Sequence, residues 1–325
     1  MKLALWPRYD AVLFLFGICL LYACGKEPLA LPVFREVPVP VAYDLTAVWF
    51  TDSLHGSITA GAPWERGVLL SSTDGGRHWQ ADTVVNNRLD CVMFDAAGRG
   101  YACGMDGLAL VRWAGQGHWY PFRLDYCWNR SCFFWDDHHG VLVAGEGFQT
   151  GLARKMGPAA LWVLDTLWTF PNALSAVWYA DSLTVCAVGL GWLLRSENGG
   201  RTWERLPYTD DFFQSIHFPS PTTGYVCGSA GSVLKTTDAG RNWRTIREGG
   251  SLGRRHAPFR ALWFVSPEKG FLVGDEGLFW RTENGGGDWT PLAGLPTDAD
   301  ATDIFVQGRR GWITAKGGRL FYFEE

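Results

Sequence analysis

The sequence predicts an all-β fold: a seven-bladed β-propeller of four-stranded antiparallel blades, with the ring closed by an N-terminal strand. Three observations predict it. An octet of the form [Ser/Thr]-x-[Asp/Asn]-x-Gly-x-x-Trp occurs at 72–79, 196–203, 236–243 and 282–289. Trp79, Trp119, Trp162, Trp203, Trp243 and Trp289 follow one another at intervals of 40–46 residues, the period of a four-stranded blade. The 325 residues include 40 Gly and 18 Trp, as a turn-rich repeat punctuated by aromatic residues requires.

Each part of the octet has a physical task. Asp74, Asn198, Asp238 and Asn284 offer a side-chain oxygen to backbone N–H groups two residues on, closing a tight turn. Gly76, Gly200, Gly240 and Gly286 permit positive φ. Trp79, Trp203, Trp243 and Trp289 open the next strand and bury a large ring against the turn. Apolar strand-like residues precede every octet, so each octet joins two antiparallel strands. Those strands are the third and fourth of a unit. A first strand such as Ala47-Val48-Trp49-Phe50 and a second such as Gly100-Tyr101-Ala102-Cys103-Gly104 precede them. The last unit begins at Thr302 and ends on its third strand, 319–323; a strand at 33–41 supplies the fourth and completes the propeller domain, 32–325. Its Pro38 and Pro40 suit an edge strand, since proline removes a ladder donor.

The octets resemble the Asp-box (BNR) repeat of sialidase-like β-propellers. The form with Gly-Gly and a terminal Trp, following a Gly-Tyr-x-x-Gly strand, resembles the photosystem II assembly/stability factor family of propellers. The resemblance implies a propeller in which the boxes are structural, and an assembly or stability role. It does not imply sialidase chemistry here. The Arg-Ile-Pro motif that carries the first substrate arginine of those enzymes is absent, and Phe259-Arg260-Ala261 is its nearest echo. No Gly-x-Ser-x-Gly elbow, P-loop or zinc motif occurs, so no catalytic residue, cofactor or metal is assigned.

Residues 1–23 read as a signal peptide. Lys2 and Arg8 precede an apolar run from Ala11 to Ala23, and Leu21-Tyr22-Ala23-Cys24 resembles a bacterial lipobox with Cys24 as the lipidated residue. Residues 24–31 form the tether, and Gly25 favours sorting to the outer membrane. Net charge is −4, which gives no reason to expect nucleic acid. Six cysteines remain beyond Cys24. Cys91 and Cys132 align with Ala47, Ala176, Ser215 and Ala261, and Cys103 and Cys227 with other small residues, so they read as small apolar side chains. A disulfide between Cys91 and Cys103, opposite each other on paired strands, stays open, and Cys127 is unexplained.

The octets share one face. The opposite, top face carries the loops between strands two and three and between blades. There the candidate binding residues are Trp64, Glu65, Arg66, Asp210, Asp211, Arg254, Arg255, His256, Asp275 and Glu276. Aromatic faces and arginine forks suit recognition of a peptide or a saccharide. Asp136-Asp137-His138-His139 is read as a solvated turn on the octet face rather than a metal site. Two functions follow. The first is a non-enzymatic lipoprotein that binds another envelope or membrane protein through its top loops. The alternative is a surface protein that binds or acts on glycans, with Trp64, Trp128 and Trp192 stacking on sugar rings.

Overall fold

The computed structural model describes residues 33–325, apart from 125, 147–150, 157–163, 209–210 and 250–257. The signal peptide, Cys24, Trp162, Asp210, Arg254, Arg255 and His256 therefore lie outside the described residues. The described residues form seven four-stranded antiparallel sheets. Six are whole blades of four consecutive strands, at 45–85, 89–123, 129–170, 174–205, 213–247 and 259–291. They are numbered blades 1 to 6. The seventh sheet is a composite: Ala301–Gln307, Arg310–Ala315 and Arg319–Glu324 are joined by Val33–Val37, which pairs with the last of them. The seven inner strands pack each against the next, and Ala301–Gln307 packs against Leu45–Phe50, so the ring is closed.

The second strands explain why the chain is so apolar. Gly100–Gly104, Gly140–Ala144, Val185–Gly189, Gly224–Gly228 and Gly270–Gly274 are buried at every residue. Each is covered on both faces by neighbouring blades, which removes the polar alternation of a one-sided sheet. Four of the five lead with a glycine that makes room for the phenylalanine of the inner strand, while Val185 faces Tyr179. A Cβ on Gly140 would stand 2.2 Å from the Phe134 ring.

In the octets the first residue does as much as the third. Gly76 N–H donates to Ser72 Oγ at 2.9 Å, and the same bond recurs from Gly200 to Ser196, Gly240 to Thr236 and Gly286 to Thr282. Each hydroxyl donates in turn to the Asp or Asn oxygen, as Ser72 does to Asp74 at 3.0 Å. That oxygen accepts from N–H groups three or four residues on, rather than two: Arg77 and His78 for Asp74, Thr202 for Asn198, Asn242 for Asp238 and Asp288 for Asn284. The four glycines have φ between 75° and 90°, where a Cβ clashes.

Three local expectations need correction. The N-terminal strand is Val33–Val37 rather than 33–41, because Pro38 and Pro40 cannot donate to the ladder. The fourth strands of blades 4 and 6 shrink to Glu204–Arg205 and Thr290–Pro291. In blade 3 the alignment shifts by one residue: Ser131, opposite Val143, takes the place of Ala47, and Cys132, opposite Leu142, takes the place of Val48. Phe134 ends that strand, and Trp135 falls in the turn.

Candidate functional site at the mouth of the axial channel

Every inner strand has a register break after its first residue. The break falls between Leu45 and Ala47, Leu89 and Cys91, Asn129 and Ser131, Leu174 and Ala176, Phe213 and Ser215, Phe259 and Ala261, and Ala301 and Asp303. A bulge leaves one residue without a partner and re-aims its side chain. The seven displaced residues are Thr46, Asp90, Arg130, Ser175, Gln214, Arg260 and Thr302, and all seven line one axial cavity of about 170 Å³. Inner strands start at the top, so this polar ring is the top mouth of the channel.

The far end is closed by aromatic rings. Trp49 lies 5.9 Å from Trp263 and 5.6 Å from Phe305; Trp178 lies 4.6 Å from Phe133 and 4.5 Å from His217. His217 also packs 4.3 Å from Trp263, and burial pushes its imidazole down to about 3, so it is neutral in this plug. The cavity is thus a shallow cup with a polar rim, not an open pore. A further space of about 350 Å³ lies against Asp90, Arg130, Ser175, Gln214 and Arg260 of the same rim, but the inner cup, at about 170 Å³, falls below the roughly 300 Å³ at which pockets bury a drug-sized ligand. It suits one side chain or one chain terminus.

The rim is electrostatically uneven. Thr46 and Thr302 are spent on the fold, donating at 2.7 Å to Leu89 O and Leu45 O of the next blade. Asp90 accepts from Arg88 Nε at 2.8 Å and from Trp128 Nε1 at 2.7 Å, while burial pushes its carboxyl up against those partners. Arg260 forms a two-pronged pair with Asp275, at 2.9 and 2.7 Å, and that hydrogen bonding holds its guanidinium fully charged. Gln214 donates to Ser229 Oγ at 2.8 Å. Arg130 differs. Its guanidinium lies 3.5 Å from the Trp128 ring centre and its Nε donates to Gly145 O at 3.0 Å. Among the described residues no carboxylate lies within ion-pair distance of it. Burial pulls its pKa down, and the charges of Asp90 and Glu146 offset that only in part.

The sequence-derived candidates divide. Trp64 is 72% exposed with φ of 61°, a left-handed conformation that bulky residues avoid, held by its N–H donating to Asn87 Oδ1 at 2.8 Å. Glu65 accepts from Tyr43 Oη at 3.1 Å, and Arg66 is exposed beside it. Glu276, with φ of 58°, precedes Gly277 in the tight turn of blade 6. Asp275 reaches the rim through Arg260. Asp211 is a correction: it is buried and accepts from the Ala230 and Ser232 N–H groups, so it holds a turn together. The glycan platform is also corrected. Trp192 is buried under Arg205, and Trp128 is occupied by Arg130 and Asp90, which leaves Trp64 alone exposed. Asp136 accepts from the His138 and His139 N–H groups, which is turn chemistry.

Sequence reasoning missed Asp90, Ser175 and Gln214, took Arg130 only as the end of a top-face loop, and saw Arg260 only as an echo of another motif. The signal was present: one polar residue stands second in every inner strand. The curated relatives that match are of one kind, while the solved structures that match include several kinds of propeller. No family model matches the chain. Over 190 residues the chain is 28% identical to the photosystem II assembly lipoprotein Ycf48 of Nostoc sp. and 26% identical to that of Trichormus variabilis. The chain is similar to the Ycf48 assembly lipoproteins. The matched stretch is 52% of this chain and 52% of each relative, so the chain spans about half the length of the curated relatives it matches. Among solved structures, Ycf48 from Cyanidioschyzon merolae aligns over 90% of this chain and 98% of its own, with TM-score 0.67 and 15% identity. Ycf48 bound to D1 peptide aligns over 91% and 100%, with TM-score 0.66 and 17% identity. The WD40 propeller domain of Doa1 aligns over 91% and 97%, with TM-score 0.69 and 12% identity. Identities this low show the propeller fold alone.

Proposed function

We propose that this chain is a non-catalytic assembly factor, tethered to a membrane by lipid on Cys24, that holds a segment of a membrane protein against its top face. One observation carries the reading: seven bulges aim seven polar side chains at one mouth, and among the described residues no carboxylate lies within ion-pair distance of Arg130 there. An acidic side chain or a chain-terminal carboxylate entering the cup would supply one. Arg130 would meet it with its two terminal amino groups, pre-oriented by stacking on Trp128. Exposed Trp64 would extend the contact over the rim. The Ycf48 relatives are named as assembly lipoproteins, and one Ycf48 structure holds a D1 peptide, so a D1 peptide is the first client to test. Gly25 favours the outer membrane as the destination, and density fractionation of membranes tests that part separately.

The deciding experiment pairs anisotropy of a labelled D1 peptide with crosslinking mass spectrometry of the protein from its own membranes. Binding should weaken about 10- to 100-fold in Arg130→Gln, the usual cost of losing a desolvated charge pair. Equal binding by Arg130→Gln, or no client crosslinked above background, overturns the reading.

A further inference from the structure

At the seam between blades 2 and 3, three cysteines from three different strand positions meet. Cys91 is on the inner strand of blade 2, Cys103 faces it on the second strand, and Cys132 comes from the inner strand of blade 3. Their sulfurs all lie within 4.8 Å of one another, with Cys91 Sγ 3.9 Å from Cys132 Sγ. We propose that Cys91, Cys103 and Cys132 form a three-thiolate site for a soft monovalent cation, Cu(I).

The spacing fits a shared metal better than a disulfide. Two sulfurs each about 2.3 Å from one ion stand about 3.8–4.0 Å apart, whereas a disulfide needs about 2.05 Å. All three are free thiols. Directly opposed strand residues hold their Cβ atoms about 4.5–5.5 Å apart, wider than the 3.8 Å mean of a disulfide, which argues against the Cys91–Cys103 bridge left open by the sequence. The pattern around the ring also speaks against mere packing. Elsewhere around the ring these places hold a mixture, Ala47 and Thr59 in blade 1, Ser131 and Val143 in blade 3, Ser215 and Cys227 in blade 5, and three cysteines coincide at this one seam among the described residues. Cys186 and Cys227, also buried, are not part of the cluster.

The donor set selects the ion. Thiolate sulfur favours Cu(I), zinc and iron–sulfur clusters. Structural zinc takes four protein ligands, and among the described residues this group of His, Cys, Asp and Glu has three members. Three sulfurs satisfy Cu(I), which accepts trigonal coordination. Entry is provided, because Cys91 and Cys132 line the axial cavity. Each sulfur that ligates releases its proton to solvent, and no redox partner is needed.

The test uses the reduced full chain under anaerobic conditions, with Cu(I) delivered from a chromophoric Cu(I) chelator. One equivalent should transfer, a sulfur-to-copper absorption should appear, X-ray absorption should show copper bound by sulfur at about 2.2–2.3 Å, and the melting temperature should rise. Cys91→Ala and Cys132→Val borrow the residues of blade 1, which keeps the seam packed; together they should abolish transfer. Cys186→Ala should leave it intact. Transfer that survives in the double variant, no transfer from the chelator, or tighter retention of Zn(II) than of Cu(I) in direct competition would each overturn the assignment.

Discussion

At the scale of single residues, two buried titratable groups of opposite sign shape the pH response. Asp303 Oδ2 accepts the Val48 N–H at 3.0 Å, across the seam between the composite sheet and blade 1. Burial pushes its carboxyl up to about 7. Folded protein therefore keeps a proton that the unfolded chain releases above about pH 4, and stability from this group falls as pH climbs from about 4 to about 7. His217 has the opposite sign. Burial pushes it down to about 3, so below about pH 6.5 the unfolded chain takes a proton that the folded plug refuses. Its stability is present above that pH and lost as pH falls toward 3. Between about pH 4 and 6.5 these two proton counts cancel, and Asp90, whose buried carboxyl is also pushed up, leaves the native chain a net fall in stability as pH rises. Asp303→Asn removes one side of the balance while an amide oxygen still accepts the Val48 N–H. At pH 8 it should stabilise the protein by about 2–4 kcal/mol, the cost of an ionised buried carboxylate, and at pH 4 by little. Melting temperatures at half-unit pH steps check it: a variant profile parallel to that of the native chain would contradict the balance.

At the scale of the element, the octets and the inner strands differ in how openly they declare themselves. An octet is written in residue types that have few other uses together: an acid or amide, a glycine at φ near 80°, a tryptophan three residues on. Its place in the fold was therefore legible, although the part played by Ser72, Ser196, Thr236 and Thr282 was not, since a hydroxyl in a turn has many possible partners. The rim residues were illegible for a different reason. A bulge moves a side chain without asking for a particular residue type, so Asp90, Arg130 and Gln214 look like ordinary strand polars until the register is seen. Trp64 was legible because an exposed loop tryptophan is unusual, and Asp211 misled because a loop aspartate is common both on the surface and inside a turn. Among the octet tryptophans the structure ranks the costs of truncation. Trp243 is 4% exposed and its Nε1 donates to Gly240 O at 3.1 Å. Trp203 is half-buried, with an Nε1 that has no partner among the described residues. Trp243→Ala should cost about 3–5 kcal/mol, and Trp203→Ala clearly less. Urea denaturation at unchanged slope reads both; equal midpoints would sink the ranking.

At the scale of the whole molecule, the composite sheet decides whether the ring stays closed. Only five residues, Val33–Val37, pair with Arg319–Glu324, and the strand is largely exposed. Its hold comes from side chains. Phe34 stacks at 5.7 Å on Phe321 and packs 6.1 Å from Phe279, which ties it to blade 6 as well as to its own sheet. Gly294 lets it in, since a Cβ there would stand 2.7 Å from the Phe34 ring. Arg319 clamps Glu36 with two hydrogen bonds, of 2.9 and 3.1 Å. That exposed pair is worth about 0.2–1 kcal/mol, whereas the partly buried ring contributes about 1–3 kcal/mol, so the aromatic contact dominates. Phe34→Ala should therefore loosen the strand far more than Arg319→Ala does. Losing the strand strips the hydrogen-bonding edge of Arg319–Glu324, and a bare edge recruits another chain. For Phe34→Ala the expectation is a lower melting temperature, faster amide exchange at 320–323, and a concentration-dependent rise in dimer by analytical ultracentrifugation. For Arg319→Ala the expectation is a near-native molecule in all three. If Phe34→Ala stays monomeric with protected amides, closure rests on the backbone pairing alone, and the aromatic clasp is not what keeps the ring shut.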